Sequence, residues 1–276
     1  LDAIVDAVGR ATEHADADGR GARLAAVGLA VPAILDHDQR PVRSATFPQW
    51  TGVDLQSALS RRLGCPVAVE NDLKLAAYAE HHIGGAAENM IFVQLGRRIS
   101  MALLVGGRIL QGSHRMAGEL GAQRGMRWTR TYDQLGLLWS TGRDAKPLFE
   151  RAAAGDRQAI AEIDDFCAQI TSRLATVVLA LDPELLVVGG GLSLAGDLLL
   201  DPLRRRLEDL LTTPARPKVA AARLATSAAV TGALGHAFDQ QSEQIFGIPA
   251  VPPPWYRLRT ALRIRPRSQA YGSGTQ

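Results

Sequence analysis

Three short segments carry residues able to act on a hydroxylated substrate. The first is Val69-Glu70-Asn71-Asp72. Apolar periodicity places a strand over 66–69 and a helix over 71–83, so these residues stand at a strand-to-helix junction. A carboxylate there accepts a proton from a substrate hydroxyl, while its amide neighbour hydrogen-bonds the substrate. The plainer reading is helix capping by Asn71 with an exposed Asp72. The second segment runs from Gly112 to Gly121 and holds a single carboxylate, Glu119, among small residues. That composition suits a grip on polyol hydroxyls, and equally suits a surface loop. In the third, the apolar run Leu185-Leu186-Val187-Val188 empties into Gly189, Gly190 and Gly191 ahead of a helix. Glycines at such a point let a ligand approach the backbone and its free N–H groups. A tight structural turn uses them just as well.

The elements that must position these segments alternate between helix and strand. An amphipathic helix opens the chain, with Leu1, Ile4, Val5, Val8 and Ala11 on one stripe. Strands follow over 24–31 and 42–45, a helix over 54–63 ending at Gly64, and then the junction at Asp72. Three successive strands are expected over 90–95, 99–105 and 108–110, with Gly106-Gly107 as a hairpin turn. Helices over 144–154 and 156–180, the glycine-terminated strand, a helix over 198–211, a strand over 218–222 and a closing helix over 227–238 complete the pattern. Past Gln240 the periodicity fades into a Pro- and Arg-containing tail, expected to be disordered over 272–276. Alternation of this kind indicates an α/β fold on parallel sheets. The expected organisation is an N-terminal α/β domain over 1–89, a C-terminal α/β domain over 90–225, a closing helix over 226–240 and a tail over 241–276.

Composition narrows the function classes. Apolar residues make up 46% and charged residues 21% of 276, the balance of an ordinary globular chain. The net charge of +3 owes much to Arg257, Arg259, Arg263, Arg265 and Arg267 in the tail, so the body lacks a nucleic-acid footprint. Cys65 and Cys167 have neither CxxC spacing nor a disulfide framework. They read as buried small residues in a reducing, cytoplasmic setting. The run from Ala175 to Leu192 is interrupted by Asp182, Pro183 and Glu184, which argues against a membrane span.

Taken together, the order and spacing of the three segments resemble the ROK family (repressors, open reading frames and kinases) over residues 24–238. Further matching pieces are Gly28-Leu29-Ala30-Val31-Pro32, Phe47-Pro48-Gln49-Trp50 and the closing helix. The resemblance implies a two-domain actin- and hexokinase-like ATPase fold with ribonuclease H-like halves. It implies Asp72 as catalytic base if the protein is a kinase, and Asn71, Asp72 and Glu119 as sugar ligands. Thr46 stands where the family usually has a sugar-contacting Asn. Gly189, Gly190 and Gly191 match the loop on the adenosine side.

Several features depart from the family pattern. The family's second phosphate loop reads Leu-Gly-Thr-Gly-Ile-Gly-Gly-Gly, whereas here Leu95-Gly96-Arg97-Arg98-Ile99-Ser100-Met101-Ala102 occupies that place. The bare backbone that cradles phosphate is lost, although Arg97 and Arg98 can pair with an anion. The first phosphate loop and the strands that carry it do not precede residue 24, so a natural product extending upstream of Leu1 is expected. Ala122 follows Gly121 where the family has a zinc-site His, and zinc is not expected. These departures favour a sugar-responsive transcriptional regulator, represented by its sugar-binding core and reaching DNA only through a module outside this chain. On this reading it is not an enzyme. The alternatives are an ATP-dependent hexose kinase using ATP and Mg²⁺, and an inactive truncated remnant. Family resemblance further implies a homo-oligomer, dimeric or larger.

Overall fold

The computed structural model describes residues 1–17, 19, 21, 23–85, 87–120, 132–133, 136–214, 216–249 and 251–264. The expectations placed on Gly121, Ala122 and 272–276 lie outside them. In chain order the elements begin α1 (Asp2–Ala15), β1 (Val27–Val31), β2 (Ile34–Leu35), β3 (Pro41–Arg43), α2 (Leu55–Leu63), β4 (Val67–Asn71) and α3 (Asp72–Gly84). Next come β5 (Met90–Leu95), β6 (Ile99–Val105), β7 (Arg108–Ile109), β8 (Tyr132–Asp133), β9 (Gly136–Leu137), α4 (Lys146–Ala153) and α5 (Arg157–Leu181). The chain continues through β10 (Leu185–Gly189), α6 (Asp197–Leu210), β11 (Lys218–Ala221), α7 (Ala228–Phe246) and α8 (Trp255–Ala261). Two units result. The first comprises Leu1–Ala79, Gln111–Met116 and Ser227–Ala261; the second comprises Glu80–Leu110, Ala117–Thr226 and Leu262–Gln276.

In the first unit β1 and β4 pair in parallel, from Val27 opposite Val67 to Val31 opposite Asn71. Helix α2 starts where the Asp54 carboxylate accepts from the Ser57 amide at 2.8 Å and stops at Gly64, whose φ of 67° an L side chain rarely adopts. Its inner face, Leu55 and Leu59, is fully buried with Val31, Leu35, Val67 and Val69, and α1 adds Ile4 and Val5 to that cluster. Helix α7 lies directly against the backbone of this layer. A Cβ on Gly28 of β1 would sit 1.9 Å from the Ala233 carbonyl oxygen, and one on Gly232 would sit 1.9 Å from that of Leu75. Backbone cannot yield as a side-chain tip can. Gly28→Ala is therefore expected to cost about 1–3 kcal/mol, toward the upper end, through overpacking. A urea-unfolding midpoint equal to wild type would refute this.

The second unit is built on a five-stranded sheet of order β11-β10-β5-β6-β7. Strand β10 runs parallel to both neighbours, while β5, β6 and β7 form antiparallel hairpins. Burial on both faces explains the unbroken apolar run of β10 and the run Met90-Ile91-Phe92-Val93 of β5, which Gln94 interrupts. The long α5, capped by Asp156 onto the Gln158 amide at 2.9 Å, buries Ile163, Phe166, Ile170 and Leu174 against Ile91, Val93, Leu186 and Val188. The expected Gly106-Gly107 turn joins β6 to β7, with φ of 56° and 72°.

Two differences from the sequence reading fall at the C-terminal end. The closing helix runs on to Phe246, where Gly247 ends it in the left-handed conformation. Fading apolar periodicity misplaced its end because its last two turns are mostly solvent-facing, with Gln241 and Ser242 as their buried residues. Beyond the prolines, Trp255 opens α8 and presses on the α7 backbone. A Cβ on Gly235 would meet its ring at 1.9 Å, and Tyr78 meets it edge-on with centroids 5.3 Å apart.

Candidate functional site

Asp72 stands at the first position of α3, directly after β4. Asn71 caps that helix. Its side-chain oxygen accepts from the amides of Leu73 and Lys74, both at 3.0 Å, and its Nδ2 donates to the Ala33 carbonyl at 2.9 Å. The plainer reading of Asn71 as a cap is thus realised, and one Nδ2 hydrogen remains for the expected sugar contact. Asp72 Oδ1 accepts from the Leu73 amide at 2.9 Å. Burial raises the Asp72 carboxyl above the ordinary carboxylate range, more than its backbone hydrogen bonds lower it. A half-buried carboxylate with raised proton affinity suits acceptance of a hydroxyl proton.

Around Asp72 the first unit holds a set of charged side chains that composition did not single out. Glu70 is only 5% exposed. Its Oε1 accepts from the Asn71 amide at 2.7 Å; its Oε2 accepts from Gln111 Nε2 at 3.0 Å and from the Arg115 guanidinium. Lys74, 4% exposed, donates to Gln111 Oε1 at 2.6 Å and to the Arg115 carbonyl at 2.8 Å. Segment 111–116 is thereby clasped to β4 and α3. Arg115 itself sits at a φ of 57°, a conformation costly for a residue with a Cβ. The ion pair to Glu70 compensates for that strain. On α7, burial holds His236 below the ordinary histidine range, against the pull of Glu70 and Asp239, so its ring is neutral near pH 7.

The remaining candidate residues are placed as follows. Thr46 is exposed in the turn ahead of Phe47, in the first unit. Glu119 belongs to the second unit and is half-buried. Gly118 before it has a φ of 87°, and a Cβ there would sit 2.6 Å from the Met101 carbonyl oxygen. The backbone ahead of Glu119 is therefore fixed by contact with β6.

Of the three glycines after β10, two are needed for packing. A Cβ would meet the Phe92 ring at 2.6 Å from Gly189 and the Leu95 carbonyl oxygen at 2.4 Å from Gly190. Gly191 faces open space and is the one with room for a ligand. Arg97 and Arg98 are exposed in the loop between β5 and β6, where Leu95 pairs with Ile99. The Arg97 carbonyl is engaged by the Leu137 amide at 2.9 Å. Cys65 and Cys167 are free and buried, and burial raises both thiols, Cys167 to about 12. Among the described residues no helix is long and apolar enough to cross a membrane.

A model of the ROK family matches residues 1–125 and 122–239. The chain belongs to the ROK family. Its relatives include a glucokinase of Halalkalibacterium halodurans, 28% identical over 225 residues that make up 67% of each chain. The bifunctional enzyme NanE/NanK of Brucella melitensis is 31% identical over 238 residues, 80% of this chain and 44% of that one. Among solved structures, the ROK hexokinase of Thermus thermophilus superposes with a TM-score of 0.67 at 26% identity, over 88% of both chains. A ROK transcriptional regulator, a homolog of the E. coli MLC protein, superposes with a TM-score of 0.66 at 17% identity, over 84% of this chain and 66% of that one.

The fold is thus the actin- and hexokinase-like ATPase fold of ROK sugar kinases, as the sequence implied. The activities named among the curated relatives are sugar kinases, which gives no support to the inclination against an enzyme.

Proposed function

We propose that this chain is the sugar-binding core of a ROK-type regulator, in which occupancy of the Asp72 site by a sugar, rather than phosphoryl transfer, is the output. The observation that carries the reading is the β5–β6 loop. Phosphoryl transfer depends mainly on holding phosphates and metal in place. Here that loop presents Arg97 and Arg98 in place of glycines, so the bare amides of a phosphate cradle are not on offer. The residues present therefore do not fit the phosphates of ATP·Mg²⁺, although Gly191 leaves room beside β10. Asp72, Glu119 and the remaining hydrogen of Asn71 serve as sugar ligands, and Asp72 acts as hydroxyl acceptor. Contact with DNA would come through a module outside this chain.

The second reading, an ATP-dependent hexose kinase with Asp72 as base, is favoured by the relatives' named activities and by the raised proton affinity of Asp72. A steady-state assay with ATP, Mg²⁺ and a panel of neutral and phosphorylated hexoses separates the two. The regulator reading expects calorimetric binding of a sugar with turnover well below the usual kinase range of roughly 1–100 s⁻¹. Turnover inside that range, abolished in Asp72→Ala, establishes the kinase instead. In either case Glu119→Ala should weaken sugar binding roughly ten- to a hundredfold, the value of one hydrogen bond to a charged group. Equal affinities would remove Glu119 from the site.

A further inference from the structure

A cavity of about 430 Å³ opens in the first unit at the N-terminal end of β4, the opposite end of the strand from Asp72. It is lined by Gln56 and Ser60 of α2, by the Gly64-Cys65-Pro66-Val67 turn into β4, and by Gln241 and Gln244 of α7. That volume lies within the span of small-molecule sites, roughly 300–1,000 Å³. Gln241 is the informative residue. It is only 9% exposed, lines the cavity, and its side-chain amide has no hydrogen-bond partner among the described residues. Its amide is therefore free to donate to and accept from a ligand that enters the cavity. Both α7 glutamines lie past residue 239, where the family match ends, so the cavity owes nothing to the family's sugar site.

We propose that this cavity is a second ligand site, taking an uncharged, sugar-sized polyol or amide. The chemistry of the wall selects that class. Three side-chain amides and the Ser60 hydroxyl each both donate and accept, as a polyol or carboxamide requires. Among the lining residues there is no ionisable group but the Cys65 thiol, which burial keeps neutral. The cavity runs along α2 from Gln56 to its C-terminal cap Gly64 and reaches Gln244 in the last turn of α7, whose negative dipole end disfavours phosphates and carboxylates.

Cys65 is a native reporter of occupancy, because it lines the cavity while Cys167 is 0% exposed with its thiol pushed up to about 12. The experiment is the rate of Cys65 alkylation by iodoacetamide at alkaline pH, followed by mass spectrometry. The probes are myo-inositol, N-acetylglucosamine and glucose 6-phosphate. A probe at about ten times its dissociation constant leaves the cavity open about a tenth of the time and slows labelling about tenfold. At least one neutral probe should do so in wild type and equally in Asp72→Asn. The protection should vanish in Gln241→Leu, or in Ser60→Ala should the first variant fail to fold, and glucose 6-phosphate should give none. The proposal is overturned if no neutral probe protects, or if protection survives removal of the Gln241 amide. Loss of protection in Asp72→Asn, or equal protection by the phosphate ester, overturns it as well.

Discussion

Glu70→Ala is expected to destabilise the protein by about 3–5 kcal/mol, because it strands the Arg115 guanidinium in a site where that side chain is only 14% exposed. The loss should exceed that of a surface ion pair, since the partner cannot return to water without moving segment 111–116. Arg115 Nε is already buried without a partner, so the guanidinium depends on Glu70 for its compensation. Removing the arginine should cost less. Arg115→Gly leaves Glu70 with the Asn71 amide and Gln111 as donors, and it relieves the left-handed backbone at residue 115. The two changes are therefore non-additive. In Glu70→Ala/Arg115→Gly the stranded charge is gone, and the double variant should be more stable than Glu70→Ala alone by about 1–3 kcal/mol. Chemical denaturation of the three variants measures this. Additive losses would show that the clasp does not operate as one unit.

That clasp marks the limit of what the sequence disclosed. Strand β10 was legible because burial on both faces leaves an unbroken apolar run, and β5 and β4 were legible from Met90-Ile91-Phe92-Val93 and Val67-Ala68-Val69, the apolar stretches that precede their polar residues. The site at Asp72 was legible because a strand ending in Asn-Asp before a helix is a local pattern. Glu70 and Lys74 were not picked out. Each looks like an ordinary polar residue, and its burial depends on Gln111 and Arg115 about forty positions further along the chain. Glu80 is similar: fully buried, its Oε1 accepts from the amides of Arg223 and Leu224 at 2.6 and 2.7 Å, a pairing no local spacing could announce. Positive φ at Arg115 was equally hidden, since a glycine would have signalled it and an arginine does not. The extra turns of α7 escaped because most of their residues face solvent and only the left-handed Gly247 marks their end, so no apolar stripe announces them.

Asp72→Asn is expected to stabilise the protein while removing its function. Burial raises the folded-state carboxyl above its unfolded value, so the folded protein holds this proton more tightly than the unfolded chain. Stability from Asp72 is then greatest at low pH and declines as pH rises from the ordinary carboxylate value near 3.8 through the raised one. At neutral pH the charged, desolvated carboxylate is a liability that the neutral amide avoids. Asparagine keeps the shape, and its side-chain oxygen can still accept from the Leu73 amide. Thermal melts should therefore show Asp72→Asn at or above wild type near pH 7 and converging with it toward pH 4, as the wild-type side chain takes up its proton. Function should move the other way. If Asp72 accepts a sugar hydroxyl, the amide weakens that charge-assisted bond, and affinity should fall roughly tenfold or more. Wild-type affinity should fall likewise as pH drops through the raised carboxyl value. If the protein transfers phosphate, loss of the base should lower turnover by about 10²–10⁴-fold. A variant that is less stable than wild type at pH 7 would contradict the burial argument. One that binds sugar as tightly across the whole pH range would take Asp72 out of the site.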